Sequence, residues 1–163
     1  MRIVKLAIIS AVVLFGLLIL ISSLLPSHIR ISRATDINSN ADRVFALVAN
    51  TQEWREWNEY TRSFKNVQYN KAGLVSDEMT ISVTHLTDSL VQTEWKPAKG
   101  KIFGSGFALI PQDSTHCTVQ WYFDFKIGWY PWEKFQSIVY DQQMGPQMEK
   151  SLTNLKDIVE KSH

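Results

Sequence analysis

The sequence predicts an α+β fold. A curved antiparallel sheet wraps around a long C-terminal helix, two short helices follow the first strand, and one transmembrane helix precedes the domain. Three observations predict it: an uncharged apolar run near the N-terminus, a long central stretch of period-2 alternation, and a return to helical periodicity after Pro131.

From Leu6 to Leu25 no side chain is charged, and only Ser10, Gly16, Ser22 and Ser23 interrupt the apolar run. At about 1.5 Å rise per residue it crosses a hydrocarbon core about 30 Å thick. Each of its Leu, Ile, Val and Phe side chains favours insertion by roughly 0.3–0.6 kcal/mol near a helix centre. A cleaved signal peptide is the competing reading, because Arg2 and Lys5 form a basic n-region. The run is longer than the usual apolar segment of about 7–15 residues, and Ile21-Ser22-Ser23-Leu24-Leu25 is a poor small-x-small cleavage site. Residues 1–26 are therefore expected to be an uncleaved anchor and residues 27–163 one ligand-binding domain. Arg30 and Arg33 nearly balance Arg2, Lys5 and the terminal amine. The short basic tail favours a cytoplasmic N-terminus, with the domain on the periplasmic side of a bacterial inner membrane.

The part after the anchor suits one domain with a sizeable core. Setting Arg2 and Lys5 aside from the 17 basic residues leaves 15 against 16 acidic ones. A surface so close to neutral does not recruit nucleic acid or anionic lipid by electrostatics. Cys117 is the single cysteine, which excludes an intrachain disulfide and a cysteine-based zinc cluster.

Ile29 to Ile37 reads as a first strand, with Ile29, Ile31 and Ile37 on one face. Asn38, Ser39 and Asn40 offer N-caps for a short helix whose buried stripe is Val44, Phe45 and Val48. A second short helix is expected over Gln52 to Trp57. From Phe64 to Lys126 alternation takes over, with turn signals at Lys71-Ala72-Gly73, Thr87-Asp88-Ser89, Pro97 to Gly100 and Gln112-Asp113-Ser114. This is an antiparallel meander of five or six strands. Beyond Pro131 a short helix is expected over Trp132 to Tyr140. A longer one is expected from Pro146, with Met148, Leu152, Leu155 and Val159 on one face.

Two stretches carry a family resemblance. Ile37-Asn38-Ser39-Asn40-Ala41-Asp42-Arg43-Val44-Phe45-Ala46-Leu47-Val48-Ala49-Asn50, followed by Trp54 and Trp57, is one. Met144-Gly145-Pro146-Gln147-Met148-Glu149-Lys150-Ser151-Leu152-Thr153-Asn154-Leu155-Lys156 is the other. Together they resemble the SRPBCC or START-like (Bet v 1-like) superfamily, in its polyketide cyclase/dehydrase and lipid transport branch. The chain departs from that branch in lacking a proline pair after the first strand and a proline after the second tryptophan. The resemblance implies the helix-grip fold and an internal ligand cavity. It does not fix a function, because one fold hosts many.

The inward phase of the strands places Met79, Ile81, Val83, Trp95, Phe103, Phe107, Trp121 and Phe123 opposite Met148, Leu152 and Leu155. The rings either line a cavity or fill the core. As a set they favour a cavity, because one helix is a thin cover for so much aromatic area. His85 is in phase with Met79, Ile81 and Val83, and is either a polar group in that cavity or a solvated residue at the strand end. Thr93, Ser105 and Cys117 also fall on inward positions. Trp54 and Trp57 read as structural wedges, and His116, Glu94 and Asp124 as outward. Gly104 and Gly106 suggest a bulge or tight curvature. Trp129, Tyr130 and Trp132 are either a membrane-interface cluster at the cavity entrance or a loop packed on the last helix.

No hydrolase, phosphate-loop, metalloprotease or C-x-x-C motif is present, so no catalytic residue, metal or cofactor is expected. The leading expectation is a carrier or binder of a lipid, quinone or other apolar small molecule. The alternatives are a cyclase/dehydrase-type enzyme using His85 or a neighbouring hydroxyl as its proton-handling group, and a tethered interaction module.

Overall fold

The computed structural model describes residues 2–24, 28–128 and 130–161. Helix α1 (Arg2–Leu24) is followed by β1 (His28–Ile37) and three short helices, α2 (Ala41–Ala49), α3 (Trp54–Trp57) and α4 (Glu59–Arg62). Strands β2 (Gln68–Asn70), β3 (Gly73–Val75), β4 (Met79–Thr87), β5 (Leu90–Pro97), β6 (Phe103–Pro111) and β7 (Cys117–Lys126) come next, and α5 (Pro131–Lys161) closes the chain. All strand pairs are antiparallel, and the order β1-β7-β6-β5-β4-β3-β2 is a meander whose last strand returns to the first.

The 19-residue apolar stretch Ile3–Ile21 of α1 is long enough, at about 28 Å, to cross a bilayer. None of that stretch is buried against the rest of the protein. Its length and composition equally fit a signal sequence.

Helix α2 starts where expected: Asn40 accepts from the Arg43 N–H at 3.0 Å, and Val44 and Val48 are buried. The second expected short helix is α3, which starts at Trp54 and not at Gln52, and an unexpected third short helix, α4, follows it. After α3, the buried Asn58 side chain accepts from the Tyr60 and Thr61 N–H groups at 3.1 and 3.2 Å and caps α4. A four-residue helix is too short to show a periodic signature.

The two expected C-terminal helices are one. Pro146 sits inside α5, where it has no N–H to give to the Gln142 carbonyl. Arg33 of β1 bridges the interrupted turn, donating to Glu149 on one side at 2.7 Å and to Asp141 on the other at 3.0 Å. Its guanidinium lies so close to Gly145 that a Cβ there would collide with it. The anchored face of α5 runs Met144, Met148, Leu152, Leu155 and Val159, all buried.

The bulge is not at Gly104 or Gly106, where both ladders run in unbroken register. The Tyr122 ring instead covers Gly106 and leaves no room for a Cβ. The irregularity is in β4: Val83 pairs with Thr93 and His85 with Gln92, which leaves Thr84 as the extra residue.

Candidate functional site: an end pocket beside a filled core

The middle of the sheet's inner face is solid. Trp54, Trp57, Trp95, Trp121, Phe107 and Phe123 are fully buried. Phe107 stacks on Trp121 at 4.9 Å between centroids and meets Trp54 and Trp57 edge-on at 5.5 and 5.7 Å. Phe123 lies 5.0 Å from Trp95 and 5.2 Å from Trp121. The inward polar groups serve this cluster. The Trp95 indole N–H donates to Thr93 Oγ1 at 3.0 Å, and that of Trp121 to Ser105 Oγ at 2.9 Å. Ser105 Oγ in turn donates to the Tyr122 carbonyl at 2.8 Å, and the Trp54 N–H donates to the Val48 carbonyl at 2.8 Å. The indoles of Trp54, Trp95 and Trp121 keep their hydrogen bonds in this way, whereas the buried Trp57 indole N–H and the Asn58 side-chain amide N–H have no partner among the described residues.

Open space begins where the cluster ends. A pocket of about 410 Å³ lies between the β5–β6 turn, the end of β7 and the first half of α5. That volume falls within the usual range of about 300–1,000 Å³ for small-molecule sites. Tyr60, Met79 and Phe103 form the wall shared with the core, Phe125 and Ile127 come from the end of β7, and Tyr140, Gln143 and Met144 come from α5. Phe125 stacks on Tyr140 at 5.0 Å and lies 4.9 Å from Phe103. Pro97, Lys99, Lys101, Ile102 and Lys126 complete the lining. Burial among rings pushes the Tyr60 phenol up, so it stays neutral and keeps its proton. A larger concavity, about 940 Å³, lies on the outward face of the sheet and includes Thr84, Glu94 and Asp124. The Arg30–Asp124 ion pair at 2.7 Å spans its edge.

Of the residues expected to line a cavity, Met79 and Phe103 lie on the pocket wall. Ile81, Trp95, Phe107, Trp121, Phe123, Met148, Leu152 and Leu155 are buried in the packed core, and Val83 is partly buried against it. His85 is exposed, because the bulge at Thr84 turns the end of β4 out of phase. It lies toward the opposite end of β4 from Met79. Cys117 pairs with Ile37 and Pro111 at that far end, where burial raises its thiol pKa. Tyr130 is 41% exposed, whereas Trp129 and the Trp132 side chain lie outside the described residues.

Sequence reasoning missed Tyr60, Ile102, Phe125, Ile127, Tyr140 and Met144. Phe125 was within reach, since it continues the Trp121–Phe123 alternation; the others sit on loops or helices without such a signal.

His116 is outward as expected and takes part in an exposed turn with Asp113 at 2.9 Å. The Thr115 N–H, together with His116 and the Thr115 hydroxyl, holds the Asp113 carboxyl down to about 2. That turn joins β6 to β7 at the end away from the pocket. Among the described residues no group of three or more His, Cys, Asp or Glu could hold a metal.

A seven-stranded antiparallel sheet closed by a long C-terminal helix, with short helices between the first strand and the rest, defines a START-like helix-grip protein. Residues 28–160 match the family described as polyketide cyclase/dehydrase and lipid transport, and the chain belongs to it. No match is found among curated proteins. Solved structures share the fold. A Staphylococcus aureus protein of unknown function aligns with TM-score 0.65 and 12% identity, covering 83% of this chain and 95% of its own. A START superfamily protein from Mycobacterium smegmatis aligns with TM-score 0.60 and 15% identity, covering 82% and 99%. A norcoclaurine synthase from Thalictrum aligns with TM-score 0.60 and 7% identity, covering 83% and 96%.

Proposed function

We propose that the protein is a membrane-tethered binder or carrier that takes an apolar or amphipathic small molecule from the bilayer into the end pocket. One observation carries this reading: the pocket lies at the end of the sheet to which α1 connects. His28, the first residue of β1, pairs with Lys126, and Lys126 lines the pocket. His28 is also four residues past Leu24, a reach of at most about 14 Å from the end of α1. If α1 is an anchor, a ligand leaving the bilayer has a short path to the pocket. The basic residues Arg2 and Lys5 favour a cytoplasmic N-terminus, with the domain on the periplasmic side.

The enzymatic alternative gave the proton-handling role to His85 or a neighbouring hydroxyl. His85 is exposed and outside the pocket lining, which removes it from that role.

Full-length protein is expected to stay in the membrane fraction after alkaline carbonate extraction. Released into mild detergent, it is expected to carry a bound apolar molecule visible by native mass spectrometry. Release by carbonate would overturn the anchor. Protein that stays ligand-free after incubation with fatty acids, lysolipids and quinones would overturn the carrier reading.

A further inference from the structure

Tyr60 stands on the wall that the pocket shares with the core, and it is partly buried there. Its hydrogen bonds run through its backbone: the N–H donates to Asn58 Oδ1 at 3.1 Å, and the carbonyl accepts from the Ser63 hydroxyl at 2.8 Å. The phenol oxygen has no hydrogen-bond partner among the described residues. Nor is that oxygen sealed among packed atoms, because the buried polar side-chain atoms without a partner are those of Trp57 and Asn58. The Tyr60 hydroxyl therefore opens on space, and the space that Tyr60 lines is the pocket.

The ring that carries the hydroxyl is held in place. Trp95 meets it edge-on at 5.5 Å between centroids, Phe64 edge-on at 5.9 Å, and Phe123 lies at 6.1 Å. The short helix beneath it is tied down as well. Asn58 caps α4, and the neighbouring Glu59 donates its N–H to Ser151 Oγ at 2.9 Å while its carboxylate accepts from Lys150 at 2.7 Å. A hydroxyl on a ring so fixed keeps one freedom, rotation of its own O–H. Burial keeps the phenol neutral, so it has a proton to donate.

Resting on the pocket reading above, we infer that Tyr60 is the donor that selects the ligand, and that the ligand is an otherwise apolar molecule whose carbonyl oxygen, acyl or quinone, is set against the inner wall of the pocket. Water can serve the hydroxyl while the pocket is open. An occupant that covers it with methylene groups alone leaves a donor unpaired, whereas one that brings a carbonyl oxygen there restores the hydrogen bond. Phe103, Phe125 and Met144 of the same lining offer apolar surface to the rest of the molecule. A few polar groups fixed in a mostly apolar wall are what orient a small molecule in such a site.

The test uses the full chain in an alkyl maltoside detergent, which carries no carbonyl, and two diazirine probes with identical chains, one ending in a methyl ketone and the other in the matching alkyl group. The readout is the ratio of ketone to hydrocarbon labelling of pocket-lining residues; comparing that ratio between proteins cancels the unequal partition of the probes into the micelle. In Tyr60→Phe, which keeps the ring and removes the hydroxyl, the ratio is expected to fall about tenfold, through loss of ketone labelling with hydrocarbon labelling unchanged. If both probes label the parent and the ratio is the same in Tyr60→Phe, whatever happens to total labelling, the Tyr60 inference falls while the pocket reading stands. If neither probe labels pocket residues in the parent, the pocket reading falls and the inference with it. A measurement on the parent alone needs no variant: the resonance of a 13C-carbonyl ketone is expected to lie downfield when bound, as hydrogen bonding requires, and an unshifted resonance would overturn the inference. Competition against the ketone separates the sources of the carbonyl. A monoacylglycerol and a decyl-substituted benzoquinone are each titrated into parent and variant, and the one that loses affinity in Tyr60→Phe supplies the carbonyl; displacement by both with no dependence on Tyr60 counts against the inference.

Discussion

Trp54→Ala is expected to lower the unfolding free energy by about 3–5 kcal/mol, the usual range for removing a buried tryptophan. Trp54 is fully buried and packs on Trp57, Trp95 and Phe107 at centroid distances of 5.8, 6.4 and 5.5 Å. Its loss also leaves the Val48 carbonyl without its indole donor. For a domain of this size the melting temperature should fall by roughly 10–20 °C. Phe107→Trp probes the same cluster from the opposite direction. Added volume beside Trp54, Trp57 and Trp121 has nowhere to go, so overpacking should destabilise by about 1–3 kcal/mol. Thermal unfolding of both variants checks the filled core. A Phe107→Trp protein that melts like the parent but binds ligand less tightly would mean that the space beside Phe107 is open.

Met144→Trp is expected to do the reverse. Met144 is 6% exposed and faces the end pocket from α5, so a larger side chain can grow into space that the ligand would occupy. Binding of an apolar fluorescent probe should weaken at least tenfold, a change of about 1.4 kcal/mol or more. The melting temperature should move only a few degrees, because overpacking strain arises where free volume is absent. Probe titration alongside thermal unfolding separates the two effects. Unchanged probe affinity with a large loss of stability would place Met144 in the core and remove the pocket from the account.

These two substitutions mark the boundary between what the sequence shows and what it hides. The inward phase of Cys117, Trp121 and Phe123 was enough to place the inner face of β7, and Val44 and Val48 were enough for α2. The spacing of Met148, Leu152, Leu155 and Val159 gave the buried face of α5. What could not be read was what meets those faces. The aromatic area of β5, β6 and β7 seemed too large for one helix to cover, yet α3 inserts Trp54 and Trp57 between sheet and α5 and fills the space.

His85 was misplaced for a local reason: the run Val83-Thr84-His85-Leu86 carries no glycine or proline to announce the bulge at Thr84. Pro146 looked like a helix start because the groups that carry α5 across it are Arg33, Asp141 and Glu149, and Arg33 is on a strand far away in sequence. The pocket itself lies where β7 ends and the β5–β6 turn begins, and there periodicity has stopped carrying information.

The central claim is that the ligand occupies the end pocket and not the space between sheet and helix. Three of the four methionines supply the reporters. Met79 and Met144 line the pocket, whereas Met148, one turn further along α5, is fully buried in the core. With 13C-methyl methionine in the full chain, held in nanodiscs of deuterated lipid, a bound fatty acid should give intermolecular NOEs to the Met79 and Met144 methyls and none to Met148. NOEs to Met148, accompanied by movement of the Trp95 and Trp121 indole resonances, would put the ligand inside the core and contradict the account.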